Sequence, residues 1–482
     1  MESVSKKMPV LNENVRDGSN KNVKYDKYGV EKTMKWYDYV GDGAGQIALN
    51  SITCLVGMLT YFYTDKVGIA AGTVGTILLV AKLFDAVSDL FMGRLIDKTK
   101  SRFGKIRPWF LWTALPTLII IIALFTVPVD ASSSIKNSYA LITNILATAV
   151  VYTAIVIPYG CLMSVRTQSI EERSKMGISR AVFGYLVGTI ISIGLIPITN
   201  MLGGDQAAWI KVGMIFGGAS FIALIFTFLV SKEKNKNGLE TFSVMEDENI
   251  SFKDSVKILF KNKYWVIMLV AMLLLNMIAS LNQGTGIYYV KYILGDESLI
   301  AVMGAIGLLP VIIGFVLTGP MIKFFGVART VRISILIGAI ATFIRIFMPY
   351  SFIATLVCGA FSSFSTIPMM AVGGVLVNNT VEYNEWQYGK RLVGMTNSAN
   401  SFGVKVGSGL GAAMIGWLLA LGKYDGTLAV QPQSANIMIL VICIYLPLIL
   451  LVLIYLILRK YDLDEKYPQI VKELEQRKIS AQ

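Results

Sequence analysis

Residues 77–96 read ILLVAKLFDAVSDLFMGRLI, a run long enough to cross the hydrocarbon core as a helix that nevertheless carries Lys82, Asp85 and Asp89. A charged side chain at the bilayer centre costs about 2.5–3.5 kcal/mol on insertion scales, so three in one span require partners or water. Asp85 and Asp89 are four residues apart and share one helical face, where their carboxylates converge. Two anions so placed repel unless something positive lies between them: a shared proton, a dehydrated Na+, or a basic group such as Lys82 or a basic residue of another helix. The stretch therefore predicts a membrane span that lines a polar passage.

The rest of the chain supplies the walls of that passage. Of 482 residues 54% are hydrophobic and 16% charged, with mean hydropathy +0.61, more apolar surface than a soluble globule of this length can hide. The apolar residues fall in long runs near 44–63, 73–96, 108–129, 138–162, 179–202 and 208–230, then 264–290, 299–321, 331–348, 352–377, 393–421 and 435–458. This predicts an all-α polytopic membrane protein of about twelve transmembrane helices in two six-helix bundles. The implied parts are a polar, lysine-rich and flexible tail over 1–38, bundles over 39–231 and 264–459, a linker over 232–263 and a tail over 460–482. The linker carries Lys232, Lys234, Lys236, Asp247, Glu248 and Lys261. The first tail lacks the apolar core of a signal peptide.

Charge placement orients the bundle and excludes other classes. The connection Asp97–Arg107 holds Lys98, Lys100, Arg102 and Lys105, whereas those around Lys66, Lys136 and Lys423 are nearly bare of positive charge. The positive-inside rule then puts the linker and both termini in the cytoplasm of a multi-pass plasma-membrane protein. The net charge of +13 is spread over alternate loops, not gathered in a nucleic-acid patch. Histidine is absent, which removes imidazole catalysis and the usual zinc ligands. Cys54, Cys161, Cys358 and Cys443 share no metal or redox spacing and read as free thiols. No nucleophile, base and orienter converge in any span, so neither an enzyme nor a cofactor is expected.

Further polar residues lie within the runs. Asn397, Asn400, Ser401, Lys405 and Ser408 cover one face of helix 11, and Lys405 needs an anion that Asp85 or Asp89 can supply across the two halves. Arg180 opens helix 5, and helix 7 carries Asn276, Ser280, Asn282, Gln283, Tyr288 and Tyr289. Amides and hydroxyls suit a sugar, whose hydroxyl groups both donate and accept, and they serve equally to join helices. A faint repeat appears in the connections after helices 2 and 8: Gly93-Arg94-Leu95-Ile96-Asp97-Lys98 with Arg102, Gly104 and Lys105, against Gly319-Pro320-Met321-Ile322-Lys323 with Gly326 and Arg329. Two six-helix halves with such turns are similar to the major facilitator superfamily. Gly93, Asp97, Arg102, Gly104 and Lys105 are accordingly expected at a cytoplasmic gate, where glycine permits close helix approach.

Several motifs together carry a narrower likeness. Thr60 to Ile69, Phe84-Asp85-Ala86-Val87-Ser88-Asp89 through Gly93, Ser101-Arg102-Phe103-Gly104-Lys105 with Arg107-Pro108-Trp109, Ile157-Pro158-Tyr159-Gly160, Glu382-Tyr383-Asn384-Glu385-Trp386, and Asn397-Ser398-Ala399-Asn400-Ser401-Phe402 leading to Lys405 resemble the glycoside-pentoside-hexuronide:cation symporter family. By that resemblance the chain works as a monomer by alternating access, coupling a sugar or glycoside to Na+ or H+. The melibiose permeases of the family bind the cation at paired helix-2 acids, a role that falls on Asp85 and Asp89. Thr153 matches a position near that site, Lys405 the helix-11 lysine, and Arg180 an arginine of the sugar pocket. Where those permeases have a sugar-bonding aspartate and a packing tryptophan, this chain has Val156 and Gly160, so its solute is not expected to be melibiose. Pro158-Tyr159-Gly160 looks like the branch carrying xylosides and glucuronides, with Asp42, Gln46 and Asn50 as further polar candidates on helix 1. The expected partners are a small solute and membrane lipid, without nucleic acid. Rival expectations are a carrier of a lipid or other amphiphile, and a ligand-sensing membrane protein without transport.

Overall fold

The computed structural model describes residues 14–16, 22–25, 31–167, 169–232, 252–390, 392–428 and 430–480. Lys234, Lys236, Asp247 and Glu248 of the expected linker lie outside them. Among the described residues ten helices are long and apolar enough to cross a membrane, and a pair bent by 42°, Trp36–Gly57 with Leu59–Lys66, makes an eleventh, α1. The twelfth segment, α2 (Ala71–Lys98), is a 28-residue helix at the centre of the packing. The remainder of the first half is α3 (Arg107–Phe125), α4 (Ser133–Ile145, continuing through Thr153–Arg166), α5 (Ile170–Met201) and α6 (Gln206–Val230). The second half is α7 (Lys263–Tyr288), α8 (Leu299–Phe325), α9 (Val327–Arg345), α10 (Phe352–Tyr388), α11 (Val393–Leu421) and α12 (Gln433–Leu440, continuing through Leu446–Leu458).

Several spans run beyond their apolar runs, and the reason is electrostatic. Helix α1 starts at Trp36, not near 44, because Asp38 and Asp42, which depress its hydropathy, are neutralised inside the bundle by Arg166 at 2.7 Å and Arg180 at 2.7 Å. Helix α5 begins at Ile170 with Ser169 as its cap, and α10 continues through Glu382 and Glu385 to a left-handed Gly389. The linker ends in a helix, Phe252–Lys261, whose Leu259 packs with Trp265 and Leu392. The C-terminal tail forms Leu463–Ser480, tied back where Trp386 donates to Glu473 at 2.6 Å. Within the N-terminal tail, Asn14–Arg16, Asn22–Tyr25 and Glu31–Lys32 pair as a small antiparallel meander.

Packing repeats between the halves. Helix α1 lies on α5 as α7 lies on α11, α2 on α4 as α8 on α10, and α3 on α6 as α9 on α12. The halves meet most extensively through two equivalent pairs, α2 with α11 and α8 with α5, and also where α1 meets α7. Outward-facing Ile313, Val316, Ile449 and Leu453 are exposed apolar residues, as a lipid boundary requires. All four cysteines are free.

The α2–α11 seam closes on glycine. A Cβ at Gly416 would sit 2.3 Å from the Ala71 carbonyl oxygen and 2.6 Å from the Gly75 nitrogen, and one at Gly75 2.6 Å from the Ala413 carbonyl oxygen. These are backbone atoms that cannot swing aside, so only glycine allows this approach. Gly416→Leu is therefore expected to wedge the seam at this end and destabilise this conformation by about 1–3 kcal/mol or more. Spin-label distances across the seam check it: an unchanged distance would mean the contact is not obligatory. At Gly93 the expected close approach is not made, because nothing lies within 4 Å of a Cβ built there.

Candidate functional site

Four α2 side chains meet one from α4 and one from α11 where the halves join. Lys405 of α11 places Nζ 2.8 Å from Asp85 Oδ1, 2.6 Å from Asp89 Oδ2 and 3.1 Å from the Asp85 carbonyl oxygen. Lys82 reaches Asp85 Oδ2 at 3.2 Å. Thr153 donates from a hydroxyl 3.1 Å from Asp85 Oδ1 and 3.3 Å from Asp89 Oδ1, while Ser88 spans to Thr153 at 3.3 Å and to the Asp85 carbonyl at 2.9 Å. Thr153 is aimed here by a π-helical turn, Leu146–Tyr152, which widens α4 just before it. Its oxygen also lies 3.2 Å from the carbonyl of Thr148, five residues back.

The cluster holds two carboxylates and two ammonium groups, so it is electrically balanced in this conformation with Lys405 between the acids. Asp85 is 1% exposed, whereas Asp89 at 18% and Lys405 at 14% remain reachable from polar space. The arrangement can release one carboxylate to another cation only if Lys405 moves away. Removing one member of such a buried network leaves an uncompensated charge, a cost of about 3–5 kcal/mol.

A second polar cluster lies between α1, α4 and α5. Arg180 grips Asp42 with both prongs, Nε to Oδ2 at 2.7 Å and a terminal nitrogen to Oδ1 at 2.8 Å. Its guanidinium lies 3.8 Å from the ring centroid of Tyr159, whose hydroxyl donates to the Asp42 carbonyl at 2.6 Å. On the same α1 face Asn50 donates to Gln46 Oε1 at 2.8 Å, and Gly184 leaves room opposite both. The helix-1 acid that serves Arg180 is thus Asp42, beside the Gln46 and Asn50 pair.

The remaining predicted residues are dispersed. Asn276 donates to the Met272 carbonyl of its own helix at 2.9 Å, and Gln283 packs against Gly57 where α7 meets α1. Asn397 donates to Asn378 of α10 at 3.1 Å and Ser401 is exposed, while the amide oxygen of Asn400 is buried without a partner. That orphaned acceptor has free capacity for a ligand. In the α2–α3 connection Gly104 takes φ +106°, which favours glycine, and Arg102 lies 4.7 Å from the Phe103 ring. The side chain of Asp97 is outside the described residues, and Lys105 is engaged in an interaction.

Sequence reasoning missed a third cluster, at the end of the bundle opposite the Asp97–Arg107 loop. Asp65, 1% exposed, receives Lys291 at 3.0 Å, Tyr292 at 3.1 Å, Tyr424 at 2.8 Å and Thr64 at 2.7 Å, and Thr64 meets Tyr288 at 2.9 Å. It joins the end of α1 to the end of α7 and the turn after α11, closing this end across the halves. The signal was a repeat: α1 and α7 both end in five-residue π turns, Phe62–Lys66 and Tyr289–Ile293, each followed by a positive-φ glycine, Gly68 or Gly295. Gly57 and Gly284 face one another just below, with the built Cβ of Gly284 3.5 Å from the Gly57 carbonyl oxygen.

A family model described as MFS/sugar transport protein matches residues 41–465. An uncharacterized symporter of Bacillus subtilis, YnaJ, is 32% identical over 92% of this chain and 96% of its own length. The isoprimeverose transporter of Lactiplantibacillus pentosus is 29% identical, covering 93% of each chain. The solved structure of a D-xylose-proton symporter aligns with TM-score 0.63 and 12% identity over 89% of this chain and 98% of that one, a likeness of fold.

Proposed function

Because this chain belongs to the glycoside-pentoside-hexuronide family of the major facilitator superfamily, we propose that it is a symporter moving a sugar or glycoside together with Na+ or H+. The family is one of membrane transporters, and the protein is a multi-pass membrane transporter rather than an enzyme. The observation that carries the finer reading is the balanced Asp85, Asp89, Lys405 and Lys82 cluster at the seam of the two halves. In the proposed cycle the coupling ion takes Lys405's place on the carboxylates, with Thr153 as an added oxygen for Na+. Lys405 then leaves α2, the tie between α2 and α11 loosens, and the halves rock. Ion binding and solute binding favour the same conformation, so each strengthens the other equally.

The solute site is assigned to the Arg180, Asp42, Tyr159, Gln46 and Asn50 cluster, with Asn400 of α11 as a further candidate for its unpartnered acceptor. Arg180 and Asp42 neutralise one another, and a neutral pair with spare donors and acceptors suits the hydroxyl groups of an uncharged sugar ring better than a lone cation does. Asn276, Gln283, Asn397 and Ser401 are secondary candidates. The positive-inside rule places the Asp97–Arg107 end and both termini in the cytoplasm. The Asp65 cluster then closes the outer side, and this conformation is inward-facing.

Uptake by the reconstituted protein across a panel of glycosides, with Na+ and H+ gradients imposed separately, tests the reading. Accumulation of one glycoside under one gradient is expected; absence of gradient-driven uptake across the whole panel would overturn it. Within the site, Arg180→Lys keeps the charge but loses the fork to Asp42 and the stacking on Tyr159. It is expected to weaken solute binding by roughly tenfold or more, for the loss of about 1.5–3 kcal/mol in charged hydrogen bonds. Unchanged binding by calorimetry would remove Arg180 from the site.

A further inference from the structure

Away from these clusters, two membrane helices part at the Asp97–Arg107 end to leave a cleft of about 320 Å³ lined by Arg329, Arg332, Ile333, Leu336, Tyr455 and Arg459. We propose that this cleft between α9 and α12 binds the headgroup and upper acyl chain of an anionic phospholipid. The lining is divided by depth. Arg329 and Arg332 stand at the start of α9 and Arg459 just beyond the end of α12, while Leu336 and Tyr455 each lie four residues further into the bundle from Arg332 and Arg459. At about 1.5 Å per residue, the apolar wall sits roughly 6 Å deeper than the guanidinium attachment points. That is the profile of a phospholipid, charged at the interface and apolar below it.

The charges are available. Arg329 pairs with Glu465 at 2.9 Å, but both are more than 60% exposed, and such surface pairs contribute little. Arg332 and Arg459 have no carboxylate within salt-bridge distance among the described residues. The neighbouring acids are occupied: Asp462 by Lys466 at 2.6 Å, and Asp464 by the Ala328 N–H at 2.6 Å. A phosphodiester carries one negative charge and offers two free oxygens, which matches two unpaired guanidinium groups. A soluble anion is the poorer fit, because Leu336 is exposed and continues along α9 into exposed Ile340 and Phe343, and α12 carries exposed Val452 and Leu456 on the turn next to Tyr455. The inference is independent of what the protein transports.

Native mass spectrometry of the full chain, released from vesicles of phosphatidylcholine containing one-fifth phosphatidylglycerol, tests it. Each basic residue near an anionic membrane surface contributes about 1 kcal/mol, so Arg332→Gln and Arg459→Gln should each reduce retained phosphatidylglycerol about fivefold and the double variant about 25-fold. Retention of phosphatidylcholine should not change, and Lys211→Gln, an exposed lysine elsewhere, should match the parent. A double variant that retains parental phosphatidylglycerol would overturn the proposal, as would complete displacement of the lipid by millimolar inorganic phosphate. Should the α9 variant fold poorly, a photoactivatable phosphatidylglycerol on the parent protein decides the matter: crosslinks at Leu336 or Tyr455 support the site, and crosslinks confined to other helices refute it.

Discussion

Asp85→Asn is expected to abolish gradient-driven accumulation while leaving solute exchange across the membrane. One positive charge crossing 100 mV releases about 2.3 kcal/mol, which at about 1.4 kcal/mol per tenfold sustains roughly 40-fold accumulation of a neutral solute. Without the carboxylate the ion has no reason to displace Lys405, and the ratio should fall to about one. The substitution also takes from Lys82 its carboxylate partner while Lys405 keeps Asp89, leaving an uncompensated charge in the network that costs up to about 3–5 kcal/mol. The variant should therefore unfold earlier in detergent, and removing the surplus charge with Lys82→Met in the same chain, which leaves the Lys405–Asp89 pair intact, should recover much of that stability. Coupling should not return with it. That split separates an ion-binding role from a merely structural one. Full accumulation by Asp85→Asn would sink the coupling assignment. Asp89, more exposed, should show the same transport loss with a smaller stability change.

The second large effect is expected at the Asp65 closure, which the proposed orientation puts on the outer side. Asp65→Asn keeps the shape of the side chain but removes the charge that gathers Lys291, Tyr292, Tyr424 and Thr64. Lys291 retains Glu297 at 3.4 Å, so the loss is confined to the tie between the halves. Losing one charge-assisted contact of about 1.5–3 kcal/mol shifts the balance of inward- and outward-facing states by roughly 10- to 100-fold toward the outward-facing one. Spin labels flanking the turns after α1 and α7 should report a longer distance distribution, and outside binding of solute should tighten if the outward state was scarce. A distribution identical to the parent's would show that the closure rests on apolar packing and glycine contacts instead.

How far the sequence reached depended on whether a feature is local. Helix count, the two halves and the pairing of Asp85 with Asp89 on one face all follow from period and composition along a single segment, and the expense of charge in hydrocarbon told that Lys405 needs an anion. Helix ends were misjudged where Asp38, Asp42, Glu382 and Glu385 made helical turns look like loops, because hydropathy cannot tell a paired charge from a solvated one. The fork from Arg180 to Asp42, the Asp65 closure and the glycine seam of Gly75 with Gly416 join residues more than a hundred positions apart. Partnerships of that kind are fixed by which helices pack together and by how near their backbones come. Those distances exist only after twelve segments have assembled, whereas the need to place so much apolar surface in lipid was already written in the chain.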